Sequence, residues 1–179
     1  GIISVLFFSC NGKNKSSDIN FWKNKGDSII TKSFDTLKNS LIRKIGQEGF
    51  KGAINYCNTA ATTLTNTYAD ENVTIRRTSQ KYRNKENAPD SLEQIIFARL
   101  KEIQEKKLPI TAQYIDQKNE FHYFKPIIMQ AMCLNCHGDK SSQIMPDTWQ
   151  TILEKYPDDL AFGYKEGELR GIWHVVFKK

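Results

Sequence analysis

The sequence predicts an α+β domain, a single antiparallel sheet with helices packed on it. Three observations predict it. Apolar residues recur every three or four positions over much of residues 27–105, the period of amphipathic helices. Short runs rich in β-branched and aromatic residues follow residue 109, and the first two face each other across a short polar turn, as in a hairpin. Helices lead and the strands come as hairpin or isolated runs, so the βαβ alternation of a parallel sheet is missing. At 179 residues, 39% apolar and 26% charged, one domain with one sizeable core is the expectation. An aromatic content of 11% excludes global disorder, and no run of about 20 apolar residues marks a polytopic membrane protein.

The elements follow in order. Residues 1–9 contain six large apolar side chains and no charge, and they stop at Ser9-Cys10. This resembles the end of a bacterial lipoprotein signal. Residues 1–9 are therefore expected to be a signal-peptide remnant, with Cys10 as the lipidated residue. Residues 10–26 then read as a polar, lipid-anchored tether, and 27–179 as the folded domain. That places the expected protein outside the cytoplasm, as a membrane-anchored lipoprotein facing the periplasm or the cell surface.

Ile30, Phe34, Leu37, Leu41 and Ile45 form one helical stripe, Gly46 and Gly49 a break, and Phe50, Ala53, Cys57, Ala60 and Leu64 a second stripe. Val73–Ser79 reads as extended and 84–89 as a loop. Asp90-Ser-Leu-Glu93 has capping-box spacing and opens a helix that buries Leu92, Ile96, Leu100 and Ile103. Ile110–Ile115 and Glu120–Phe124 are the hairpin strands, with Pro126 ending the second. A short helix runs from Pro146 to Pro157 and carries Trp149, Ile152 and Leu153. Gly171–Phe177 is a buried strand.

Chemistry concentrates at Cys133-Leu-Asn-Cys-His137. Two thiols three positions apart can each add to a haem vinyl group, and the following His lies where the iron needs its proximal ligand. A chain of this composition holds about 0.0015 such patterns by chance. A thioredoxin-like pair lacks its βαβ setting, a structural zinc lacks a second ligand pair, and a disulfide has no need of His137. The reading is one covalent haem c, attached through Cys133 and Cys136 and ligated by His137. The sixth ligand is open on these grounds: Met129, Met132, Met145, His122, His174 and Cys57 all have suitable chemistry. A cysteine on an apolar helix face is also commonly a small core residue, and a strand His a half-exposed one. The propionates call for cations, and Arg76, Arg77, Arg83 and Arg170 are candidates, with Arg77 and Arg83 favoured.

The flanks carry a resemblance. Ala53-Ile-Asn-Tyr-Cys57, Arg77-Thr-Ser-Gln-Lys-Tyr-Arg-Asn84, Asn87-Ala-Pro-Asp90, Pro126-Ile127 and Cys133-Leu-Asn-Cys-His-Gly138 are similar to a family of PAS-like c-type haem domains. Tyr156-Pro-Asp-Asp-Leu-Ala161, Gly163-Tyr164 and Gly167-Glu-Leu-Arg-Gly171 extend it over most of residues 45–178. Such domains occur alone or at the sensory end of histidine kinases. The resemblance implies a single PAS-like domain, an antiparallel sheet flanked by helices and preceded here by amphipathic helices. It also implies Cys57 as the distal iron ligand opposite His137. Lys85 and Glu168 depart from the family's usual Pro and Asp, away from the iron.

The expected function is a monohaem cytochrome c that acts as a redox or gas sensor, with CO or NO as possible ligands of the reduced iron, or as an electron-transfer module. A haem enzyme with an open iron site, a peroxidase or oxyanion reductase, is the alternative. The net charge of +6 suits an acidic redox or signalling partner, and the basic residues are too scattered for a nucleic-acid stripe.

Overall fold

The computed structural model describes residues 15–179. Four strands form one antiparallel sheet: β1 (Val73–Thr78), β2 (Gln113–Asp116), β3 (Glu120–Ile128) and β4 (Leu169–Lys178). Their order across the sheet is β1-β4-β3-β2, so the last strand of the chain is inserted between the first and third. The side-chain period of two sorts the strands into two apolar faces.

Val73, Ile75, Phe121, Tyr123, Trp173, Val175 and Phe177 make one face, which the long helix α1 (Lys15–Thr65) covers with Ile19, Trp22, Ile30 and Phe34. The approach is close at Gly26, where a Cβ would stand 2.5 Å from the Tyr123 ring. Phe124 and Ile172 belong to the opposite face and pack beneath α2 (Ser91–Glu105) through Ile96, Phe97 and Leu100. The expected capping box opens α2: the Asp90 carboxylate accepts from the Glu93 N–H at 2.8 Å, and the Glu93 carboxylate from the Asp90 N–H at 2.9 Å. This is the predicted α+β class, an antiparallel sheet flanked by helices.

A third apolar cluster lies at one end of the molecule. There Ile54 of α1 meets Ile144 and Ile152, with Trp149, Tyr156 and Phe162 packed around them. Ile152 belongs to α4 (Pro146–Lys155), and the one-turn helix α3 (Leu134–His137) precedes it. What divides α1 between the sheet and this cluster is Gly49, whose φ of 69° and ψ of −173° interrupt the helix. That backbone region is essentially restricted to glycine.

Several sequence expectations are corrected. The helix begins at Lys15, not Asp27, so much of the expected tether is helical: residues 18–26 are predominantly polar, but Ile19 and Trp22 are spaced to reach the sheet. Gly46 does not break α1; Gly49 alone does. Pro126 does not end β3, because β2 pairs only as far as Phe124 and the strand is an edge on that side beyond it, where a missing N–H is tolerated. The loop at 84–89 contains a 3₁₀ turn, Lys85–Asn87. His122 and His174, expected as half-exposed strand residues, are buried. Among the described residues no helix is long and apolar enough to cross a membrane. The expected signal remnant and Cys10 lie outside the described residues.

Candidate functional site

Between the two limbs of α1 on either side of Gly49, the end of β1 and the turn that carries α3 lies a cavity of about 230 Å³. Cys57 and Ile54 reach it from α1, and Cys133, Cys136 and His137 from the turn. An adjoining cavity of about 170 Å³ shares Arg77, Arg83, Cys133, His137 and Arg170 with it. The residues singled out from the sequence thus converge, although Cys57 and Cys133 are 76 positions apart.

Local structure sets the geometry of the turn. Cys133 ends a 3₁₀ turn, Ala131–Cys133, and Cys136 follows within α3, so the two thiols lie one helical turn apart and share a face. Gly138 ends α3 where a side chain has no room, since a Cβ would lie 2.6 Å from the Leu134 carbonyl. The chain at 159–164 is laced to this turn: Gly163 N–H donates to the Gly138 carbonyl at 2.7 Å and Tyr164 N–H to that of His137 at 3.0 Å.

His137 donates from Nδ1 to the Ala161 carbonyl at 2.7 Å. A carbonyl can only accept, so this bond fixes the tautomer and leaves the Nε2 lone pair available to a metal. Burial, reinforced by the Arg83 and Arg170 charges, holds its pKa well below the ordinary value, so the imidazole is neutral. Burial raises the Cys57 thiol, against the opposing pull of Arg77 and Arg83, and pushes Cys136 up to about 11. Both are inert protonated thiols until a Lewis acid or a reacting partner takes the proton.

The arginines divide by their partners. Arg83, which the sequence proposes for a propionate, is already engaged: Nε and Nη2 bind the Asp159 carboxylate at 3.2 and 3.0 Å. Its Nη2 also donates to the Cys136 carbonyl at 2.6 Å. It is a brace under the cysteine turn. Arg77 is different. Its Nε donates to Thr65 Oγ1 at 2.8 Å, the group lies over the Trp173 ring, and among the described residues nothing binds its two terminal nitrogens. Burial lowers its pKa to about 10. Arg170 reaches the same cavities while its Nη1 binds Ser79 Oγ at 2.7 Å. Arg76 points elsewhere, to the Ala88 carbonyl and the Glu93 carboxylate.

Of the sixth-ligand candidates, Cys57 and Met132 line the larger cavity and Met129 the smaller. Met145 caps α4 at 57% exposure and lines neither, and His122 and His174 lie under α2 on the far face of the sheet. Sequence reading missed Asp159 and Ala161 as supports of Arg83 and His137. No local signal marks them, because each acts on a residue at least 24 positions away.

The donor set suits a haem. It offers two thiols on one face, a neutral imidazole with its tautomer fixed, a thiol on the facing helix, and a half-buried guanidinium with free donors. Leu37, Leu41 and Ile45 add an apolar wall.

Comparison with known proteins gives a consistent picture. The sequence matches the Tll0287-like family over residues 16–177. A crystal structure of the cyanobacterial heme-protein Tll0287 superposes with a TM-score of 0.62 at 24% identity, covering 87% of this chain and 96% of that one. No curated protein matches the sequence.

Proposed function

The chain belongs to the Tll0287-like family, and from that premise we propose that it is a monohaem c-type cytochrome, with haem attached through Cys133 and Cys136 and ligated by His137 and Cys57. The observation that carries this reading is the shared cavity, which Cys57 enters from α1 and the Cys133–His137 turn from the other side. That the solved relative is a heme-protein supports the cofactor. Bound there, the haem supplies one-electron chemistry at iron.

The chain's own residues determine the character of that site. His137 presents Nε2 because Ala161 holds Nδ1. An anionic Cys57 thiolate favours the ferric state and lowers the reduction potential. Arg77 offers its unengaged guanidinium nitrogens to a propionate, with Arg170 beside it and Arg83 holding the turn. Loss of Cys57 from the iron on reduction would free a position for CO or NO and release the helix limb that carries it, which is a redox or gas sensor. Retention of Cys57 through the cycle is an electron carrier. We further propose that Cys10 is lipidated, tethering an exported protein to a membrane. Membrane fractionation of Cys10→Ala tests that part, and wild-type distribution of the variant would overturn it.

The decisive experiment is the ferric absorption and electron-spin-resonance spectrum of protein expressed with haem c attachment machinery, beside Cys57→Ala. A low-spin thiolate signal that the variant loses is the expected result. A high-spin wild type, or an unchanged variant, would overturn Cys57 ligation and favour an open-site haem enzyme or a Met-ligated carrier.

A further inference from the structure

On the far face of the sheet, away from the cysteine turn, a second cluster of donors is built around α2. The capping box uses one oxygen of each carboxylate, Asp90 Oδ1 and Glu93 Oε2, and so holds Asp90 Oδ2 and Glu93 Oε1 in place. Glu93 is fully buried, and its Oε1 stands 2.8 Å from His174 Nδ1 on β4. One donor atom from each of Asp90, Glu93 and His174 lies within 4.8 Å of the other two.

A separate observation is an unmet buried nitrogen beside this cluster. His174 Nε2 meets His122 Nδ1 at 3.1 Å, so the two imidazoles share one proton between them. If His174 donates to Glu93, then His122 donates to His174, and His122 Nε2 is left as a bare lone pair. That atom is buried in a residue only 8% exposed and makes no hydrogen bond, although the Glu120 carboxylate is 3.3 Å away. The opposite tautomers let His122 Nε2–H face Glu120 but leave the His174 Nδ1 lone pair against the Glu93 carboxylate. Either way, with both rings neutral, one nitrogen lone pair faces a carboxylate. His122, His174 and Asp90 border one cavity, which Arg76, Glu120 and Lys178 also line.

We propose that Asp90, Glu93 and His174 form a second metal site, for a divalent first-row ion such as Zn²⁺, with His122 as the partner that sets the His174 tautomer. Two carboxylates and an imidazole are ordinary ligands for such an ion, and the His174 Nε2–H to His122 bond is the support that a metal-bound histidine usually has. Arg76 is the competing charge: its Nε lies 3.4 Å from Glu93 Oε1 and its Nη1 3.9 Å from Asp90 Oδ2, neither of them a hydrogen bond. Its side chain is 42% exposed and its Nη2 donates to the Ala88 carbonyl at 2.9 Å, so the metal would have to displace a tethered guanidinium.

The test is calorimetric titration of Zn²⁺ into the full chain near pH 7.5, after chelator treatment and with any free thiol alkylated so that only N and O donors count. One ion per chain is expected in the wild type. Binding should be at least tenfold weaker in Asp90→Asn and in His174→Gln, and several-fold tighter in Arg76→Gln. Asp90→Asn keeps a capping oxygen, and circular dichroism of each variant confirms that it is folded. Absence of stoichiometric binding would overturn the proposal, as would binding indifferent to Asp90→Asn and His174→Gln. A cluster that answers to acid alone, with no metal taken up, would also overturn it. The haem content has no bearing on any of these outcomes.

Discussion

Asp159→Ala removes the carboxylate that holds Arg83 beneath the cysteine turn. Both partners are withdrawn from water, with side-chain exposures of 11% for Arg83 and 0% for Asp159. Truncating one member of such a pair strands the other charge, which costs about 3–5 kcal/mol. Arg83 retains the Cys136 carbonyl at 2.6 Å and a weaker contact to Ala161 at 3.4 Å, so the lower end applies, about 3 kcal/mol. For a domain of this size that is a fall in Tm of about 6–12 °C. The effect has a functional arm, because Asp159 Oδ1 also accepts from the Ala161 N–H at 2.8 Å and Ala161 in turn orients His137. Thermal unfolding followed by circular dichroism measures the first arm. The homogeneity of the low-spin signal at equal haem loading measures the second. A Tm within about 2 °C of wild type would show that Arg83 is held by the carbonyls alone and that the brace is misread.

Other substitutions probe other links. Gly26→Ala drives a methyl to within 2.5 Å of the Tyr123 ring and should cost about 1–3 kcal/mol through overpacking, read as a lower denaturation midpoint with unchanged haem spectra. Gly49→Ala places a side chain at φ 69°, ψ −173° and should cost about 1–3 kcal/mol; open space around that position means the loss is conformational, so larger residues should cost little more. The depressed pKa of His122 means that the unfolded chain takes up a proton below about pH 6.5 that the native chain resists. Stability should therefore fall as pH drops below that value, by at most about 1.4 kcal/mol per pH unit from this group, and His122→Gln should flatten the slope. On the proposed haem reading, Arg77→Gln deletes a half-buried positive charge beside the cavity and should lower the reduction potential with haem retained, as measured by redox titration.

What the sequence revealed and what it hid follow from the range of the forces involved. The Asp90–Glu93 box and the Cys133–His137 motif are complete within four or five residues, and both stand in the structure where local chemistry puts them. The strand order is a different matter. β4 lies between β1 and β3 because apolar faces on three distant segments fit together, and no window of sequence contains that information. Arg83 looks the same from the sequence as Arg77. Only Asp159, 76 positions on, turns it from a free cation into a brace. The start of α1 was concealed because most of residues 18–26 are polar and the apolar Phe21 is exposed, and tertiary packing of Ile19 and Trp22 against the sheet outweighs the local composition there. The two histidines of the far face, 52 positions apart, gave no hint that they meet.

The joint at Gly49 has a mechanical meaning. A continuous rod from the sheet to the cavity would force any change at Cys57 to drag Trp22 and the whole strand face with it. A single glycine between two stiff segments makes them separately steerable: one is anchored to the sheet, the other rests on α4 and bears the thiol. Motion of the thiol-bearing segment can be absorbed by two torsions at one residue, leaving the β-sheet as a fixed frame of reference.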